Sequence, residues 1–267
     1  MGDLLRSARA AVKMALFALL TLVIIPPQML IMLFHRGRGA YIVPMLWHRG
    51  VCLIFGIRFQ IEGAPLHKGQ TLFMSNHLSY LDIPVIGSLL VASFVAKKEV
   101  EGWPVFGFLS KLQQTAFIDR RRSAISEEKA AIDDRLSDGR SIILFPEGTS
   151  TDGRAVLPFK SSLFALALDS TNPDLCIQPM TVRLDSVDGR PPLTQADRDL
   201  YAWHRDMDTE LPVHLWLFAR TSGARVTLVF HPALRASGYT DRTVLAKPCH
   251  DAVSNGLHAR PALLQAA

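Results

Sequence analysis

The stretch Thr71-Leu72-Phe73-Met74-Ser75-Asn76-His77-Leu78-Ser79-Tyr80-Leu81-Asp82 is an apolar run that ends in a polar corner. A second stretch, Ser141-Ile142-Ile143-Leu144-Phe145-Pro146-Glu147-Gly148-Thr149-Ser150, follows the same plan. Each apolar run, 71–75 and 141–145, predicts a short strand that hands over to a loop. In an open α/β sheet such loops gather at the carboxyl edge, where ligands bind. Two chemically loaded loops in equivalent places predict one site.

His77 and Asp82 are the first candidate catalytic residues. Ser79 followed three residues later by Asp82 resembles a capping box, which places a helix start near Tyr80. Side chains five apart do not align along a continuous helix, but a corner between loop and helix brings them together. A carboxylate on one imidazole nitrogen fixes the tautomer and leaves the other nitrogen to take a proton. The plainer alternative is an Asp that only caps a helix beside a surface His.

Composition narrows the partners. The 267 residues are 49% hydrophobic with a net charge of +5, mean hydropathy is +0.19 and the pI is near 9.3. A basic chain favours anionic partners. No nucleic-acid recognition motif or basic stripe interleaved with aromatics is visible, so an anionic membrane surface is the expected partner and nucleic acid is not. Cys52, Cys176 and Cys249 are far apart, which predicts neither a disulfide framework nor a metal site.

The apolar excess lies near the N-terminus. Residues 14–34 carry no charge, and their only polar side chains are Thr21 and Gln28. The length suits a span of about 20 residues, yet Pro26-Pro27 interrupts it, and an interior proline costs a helix about 3 kcal/mol. Arg6, Arg9 and Lys13 precede the stretch and His35, Arg36 and Arg38 follow it, which puts both ends on the cytoplasmic side. Two short helices that dip into the cytoplasmic leaflet and return satisfy both constraints, so residues 1–45 are expected to form a re-entrant anchor; one kinked span is the alternative. His35-Arg36 stands where a signal peptide would need small residues.

Further strands are expected at 59–62, 93–96, 177–183 and 225–230, with helices at 123–138 and 161–168 and a polar surface insertion at 191–199. Strands alternating with helices predict an α/β fold with a mainly parallel central sheet flanked by helices, carrying the N-terminal two-helix segment.

These motifs resemble the glycerolipid acyltransferase family, the relatives of 1-acylglycerol-3-phosphate O-acyltransferase. That family has an Asn-His motif with Asp five residues after the His, then Phe-Pro-Glu-Gly-Thr about seventy residues later; Asn76, His77, Asp82 and 145–149 match both in order. Lys97-Lys98-Glu99 with Phe117-Ile118-Asp119-Arg120 resembles its second block, and Ile177-Gln178-Pro179-Met180 its fourth. The likeness covers residues 59–182 and, weakly, 225–232, and makes 46–267 the expected acyltransferase domain, on the cytoplasmic face of a membrane, the bacterial inner membrane.

The resemblance implies transfer of an acyl chain from an acyl carrier protein or coenzyme A thioester to a lysolipid hydroxyl, with no further cofactor and no metal. His77 takes the hydroxyl proton and Asp82 holds the ring. The Gly148 amide is a candidate donor to the developing oxyanion. Glu147, Gly148 and Thr149, with Lys97 and Arg120, are expected at the acceptor; Glu147 alternatively pairs with a base such as Arg120. Without a Gly-x-Ser-x-Gly elbow, transfer is expected to be direct.

One position departs from the family. Members that take a phosphate acceptor commonly continue Gly-Thr-Arg, whereas this chain has Ser150, and its next cation is Arg154. If the loop folds back at Asp152-Gly153, Arg154 recovers the phosphate contact and 1-acylglycerol-3-phosphate is the expected acceptor. The alternative is a lyso-ornithine lipid. Outside this class, a catalytically inactive membrane scaffold is opposed by the intact His77, Asp82 and Glu147, and a metal hydrolase by the lack of an HExxH or third ligand.

Overall fold

The computed structural model describes residues 2–35, 37–66, 69–118, 136, 139–170 and 172–259. In chain order the helices are α1 (Gly2–Phe34), α2 (Ile42–Phe55), α3 (Asp82–Gly87), α4 (Phe106–Leu112), α5 (Ala165–Leu168), α6 (Gln195–Arg198), α7 (Leu211–Arg220) and α8 (Arg242–His258). The strands are β1 (Ile57–Glu62), β2 (Thr71–Ser75), β3 (Ala92–Lys97), β4 (Ala116–Ile118), β5 (Ser141–Leu144), β6 (Cys176–Val187), β7 (Ala224–Phe230) and β8 (Leu234–Arg235). They form one sheet in the order β1-β7-β6-β2-β5-β3-β4, with β8 beside β6. Pairing is parallel except where β6 meets β7 and β8, the mainly parallel sheet expected from the alternation of elements.

The two central strands are buried throughout, because helices cover both faces. Alternate residues of a strand point to opposite faces. Phe73 and Ile143 join a core with Val51 and Phe55 of α2, Val85 of α3 and Phe218 of α7. Leu72, Met74, Ile142 and Leu144 join another with Leu245 and Cys249 of α8. A strand covered on both faces reads as a continuous apolar run, as these two do.

The N-terminal pair differs from the expected break at Pro26-Pro27. Helix α1 runs through both prolines, and the chain turns back only at residues 35–41 before α2, which continues to Phe55. The prolines remove two backbone donors, and tertiary contacts hold the helix there: Gln28 Nε2 donates to Ala40 O (3.0 Å) and Leu112 O (2.7 Å). Lower down, Lys13 Nζ donates to Phe55 O (2.9 Å) and Thr221 O (3.0 Å). One cation thereby serves the orphan carbonyls that end α2 and α7, where the helix dipoles favour positive charge. Gly56 closes α2 at φ 75°, with space so tight that a Cβ there would lie 2.4 Å from Ser222 O.

The exposed side of the pair is apolar: Leu22, Leu30, Leu33 and Phe34 of α1 and Leu53 of α2 all face outward. This long apolar helix is the segment through which the chain associates with a membrane. Helix α6, with its Thr194–Asp197 capping box, lies in the predicted polar insertion. Most of the helix expected at 123–138 lies outside the described residues.

Candidate active site

Strands β2 and β5 are parallel neighbours in the register Leu72↔Ile142, Met74↔Leu144. The chain therefore leaves both at the same edge, and their loops lie side by side. Asn76 starts the first loop and extends the ladder with its side chain. Its Oδ1 accepts from Val182 N (2.7 Å) and its Nδ2 donates to Val182 O (2.9 Å). The main chain can then leave the sheet without orphaning that edge of β6.

The turn that follows brings His77 and Asp82 together. His77 Nδ1 lies 2.8 Å from Asp82 Oδ2. That oxygen also accepts from Leu78 N (2.7 Å) and Ser79 N (3.0 Å), while Asp82 Oδ1 accepts from Tyr201 Oη (3.0 Å). The bond from the Ser79 amide is the expected half of a capping box, although regular helix begins only at Asp82. Facing an acceptor, Nδ1 carries the proton, which leaves the Nε2 lone pair free. Asp82 is wholly buried, while the His77 side chain is 20% exposed. The His77 ring stacks on Phe145, with centroids 4.0 Å apart.

Glu147 reaches back across the loops. Its Oε1 accepts from His77 N (2.8 Å) and its Oε2 from Leu157 N (2.7 Å). Through these bonds the carboxylate ties the backbone of the His77 loop to the β5 loop. Burial pushes its pKa up to about 7, against the pull of the two amides. Further ties run from Thr151 N to His77 O (2.8 Å) and from Trp203 N to Leu78 O (3.0 Å).

The remaining predicted residues fare unequally. The Gly148 amide, expected to face an oxyanion, donates to Phe145 O (2.9 Å) within its own turn, and Gly148 adopts φ 71°. Thr149 is half-buried beside it, and Lys97 ends β3 exposed at the same sheet edge. Ser150 Oγ donates to Trp203 O (2.6 Å). Gly153 lies against Leu78, and the mainly exposed Arg154 guanidinium pairs with Asp152 at 3.5 Å. Arg120 lies outside the described residues.

Two contributors have no signature in the sequence. Tyr201, wholly buried, is kept protonated by burial and by the Asp82 carboxylate, so it donates to that carboxylate. His214 is also buried, which lowers its pKa. Its Nε2 meets Asp199 O (2.9 Å) and its Nδ1 meets Tyr80 Oη (2.9 Å). With a carbonyl as partner, Nε2 must carry the proton, so the Tyr80 hydroxyl donates to Nδ1. This bond holds Tyr80 over an apolar cavity of about 180 Å³ bounded by α1, α2, α4 and α7, which Trp47, Phe55, Leu81, Trp103 and Leu215 also line.

The sequence model of the family described as "Acyltransferase" matches residues 57–183. The chain is 36% identical over 232 residues to the lyso-ornithine lipid O-acyltransferase of Rhodobacter capsulatus, covering 85% of this chain and 79% of that protein. It is 29% identical over 207 residues to the 1-acyl-sn-glycerol-3-phosphate acyltransferase of Neisseria meningitidis, covering 77% and 76%. Its fold superposes on the crystal structure of a 1-acyl-sn-glycerophosphate acyltransferase from Thermotoga maritima with a TM-score of 0.71 at 18% identity, covering 98% of this chain and all of the other.

Proposed function

Because this chain belongs to the acyltransferase family, which makes it an acyltransferase acting on a lysolipid, we propose that its acceptor is a lyso-ornithine lipid. The acyl donor in this reading is a thioester of acyl carrier protein or coenzyme A. The observation that carries the choice is Ser150. It stands where a phosphate-binding Arg would follow Gly148-Thr149, and its hydroxyl is turned onto Trp203 O. Arg154, the nearest substitute, is held by Asp152 at the surface. The greater identity to the Rhodobacter protein than to the Neisseria protein supports the same acceptor over the phosphate acceptor first expected.

In this mechanism His77 Nε2 removes the proton from the lysolipid hydroxyl as its oxygen attacks the thioester carbonyl. The C–S bond then breaks, the new ester forms, and the imidazolium returns its proton to the leaving thiolate. A positioned base of this kind contributes about 10²–10⁴-fold. Asp82, seated by two loop amides and Tyr201, holds the ring and stabilises its charged form. Glu147 positions His77 through its backbone, and Thr149 and Lys97 line the acceptor side.

The same reading divides the chain into an anchor over residues 1–45 and an acyltransferase domain over 46–267, with the anchor on the cytoplasmic face of the membrane. The deciding experiment offers purified enzyme one acyl thioester with either lyso-ornithine lipid or 1-acylglycerol-3-phosphate and identifies products by mass spectrometry. Ornithine lipid as the dominant product is expected. Phosphatidic acid alone would overturn the acceptor assignment.

A further inference from the structure

A second apolar surface lies where the link from β3 enters α4. Residues 102–108, Gly-Trp-Pro-Val-Phe-Gly-Phe, carry no charge, and Trp103, Val105 and Phe108 are 38%, 58% and 44% exposed. The segment is closely built. Trp103 N donates to Val100 O (3.1 Å) and Gly107 N to Trp103 O (2.9 Å), and a Cβ at Gly107 would lie 2.3 Å from Glu101 O. At the tip, Phe106 N donates to Pro104 O (2.6 Å) across Val105, whose φ of 62° and ψ of −60° give the strained form of γ-turn. A β-branched residue seldom takes positive φ, yet here the fold accepts that strain and leaves the valine in solvent.

Charge collects at the base of this loop. Lys98 and Lys111, each more than half exposed, both reach Glu101, at 2.5 and 3.2 Å. An uncharged tip with an indole beside it and lysines at its base suits a membrane interface, where Trp sits at headgroup level and lysine stems lie along apolar surface. The position agrees. Helix α4 is fastened to α1 by the bond from Gln28 Nε2 to Leu112 O, and Trp103 and Phe106 share the wall of one cavity with Ile24 and Ile25 of α1. The loop therefore adjoins the C-terminal half of the helix that meets the membrane. The Trp103 ring also meets Trp203 edge-on, with centroids 6.5 Å apart, and Trp203 N bonds Leu78 O in the His77 loop.

We propose that residues 102–108 are a second membrane contact, in which Val105 and Phe108 enter the leaflet beside α1 and the Trp103 ring sits at headgroup level. The contact seats the His77 loop at the lipid surface, where a lysolipid acceptor lies. Its effect on turnover rests on the acyl-transfer reading above, whereas the contact itself does not.

The full-length, cysteine-free chain with Val105→Cys, Leu30→Cys or Ser237→Cys, each labelled with an environment-sensitive fluorophore, reports the contact without turnover. In vesicles of equal parts phosphatidylcholine and phosphatidylglycerol, the probes at 105 and 30 should shift to the blue and be quenched by nitroxides on the lipid acyl chains. The probe at exposed Ser237 should do neither. If the probe at 105 stays unquenched while that at 30 is quenched, the loop lies off the membrane and the proposal falls. A blue shift that grows with protein concentration and is not quenched by lipid would assign the loop to a second copy of the chain and equally overturn it. With lysolipid embedded in the same vesicles, Val105→Asp with Phe108→Asp should raise the apparent KM by about tenfold or more. With a water-soluble, short-chain lysolipid and detergent-solubilised enzyme, the same variant should turn over as the wild type does. An equal loss in both assays would mean that the loop does not act through the membrane. Absence of thiol release from the wild type with any lysolipid would instead defeat the acyl-transfer reading and leave the fluorescence result standing.

Discussion

Glu147 Oε1 accepts the backbone amide of His77 at 2.8 Å. One carboxylate thus joins two loops whose residues are seventy positions apart, and it acts on the catalytic candidate through the main chain. Loops tend to be mobile, and general-base chemistry needs the imidazole fixed relative to the attacking hydroxyl. The bond from Glu147, with the Thr151–His77 and Trp203–Leu78 pairs, supplies that fixity.

This arrangement predicts an unusual pH dependence. In the folded chain the Glu147 carboxyl is raised from 4.5 to about 7 by burial. Between those values the folded protein holds a proton that the unfolded chain releases, so stability falls as pH rises through the window. The full effect is about 3 kcal/mol. Urea midpoints from pH 5 to 8 should drop in the wild type relative to Glu147→Gln. Parallel profiles would contradict the buried-proton account. The Gln variant should also lose turnover, because its single amide oxygen cannot accept from both His77 and Leu157.

His77→Ala should reduce thiol release by about 10²–10⁴-fold while leaving the melting temperature close to wild type, since the ring is partly exposed and packs chiefly on Phe145. Asp82→Asn should reduce turnover comparably and also destabilise the fold, because its carboxylate receives bonds from His77, Leu78, Ser79 and Tyr201. Near-normal turnover in His77→Ala would remove the mechanism.

Tyr201→Phe separates support from chemistry. It deletes one bond to Asp82 Oδ1 and leaves the three at Oδ2. A hydrogen bond to a charged group is worth about 1.5–3 kcal/mol, so the melting transition should shift accordingly. The fall in kcat should remain well below that of Asp82→Asn, with KM unchanged. An equal fall in both variants would mean that Tyr201 acts on the substrate directly.

Arg154→Ala tests the acceptor assignment from the protein side. Its guanidinium is mainly exposed and paired with Asp152, so the KM for lyso-ornithine lipid should not change. A severalfold rise in KM would return Arg154 to the acceptor site.

The anchor is tested on its outward face. Leu30 and Leu33 are 58% and 78% exposed, so Leu30→Glu with Leu33→Glu should spare the fold yet shift the protein from membrane pellet to supernatant. Charges in the hydrocarbon region cost several kcal/mol. In a cysteine-free background, single cysteines at Ser7 and Gly39 should both label from the cytoplasmic side. Labelling from opposite sides would favour a spanning helix.

Features whose information is local to the chain could be read before any fold was known. The unbroken apolar runs 71–75 and 141–145 imply strands covered on both faces, and a parallel sheet brings their following loops to one edge, so the pairing of His77 with Asp82 and the nearness of the Glu147 loop were legible. The glycerolipid acyltransferase family was legible for the same reason, because its motifs are short and ordered along the chain. The remaining features depend on partners far apart in sequence or on neighbours that override a local preference. No spacing announces that Tyr201 will meet Asp82 across 119 positions, or that Glu147 will choose two backbone amides. The Gly148 amide, available by motif, was claimed by a carbonyl three residues back. Pro26-Pro27 favours a break by propensity alone, but Gln28 fastened to Ala40 and Leu112 keeps α1 continuous, because several specific contacts outweigh a local penalty of a few kcal/mol.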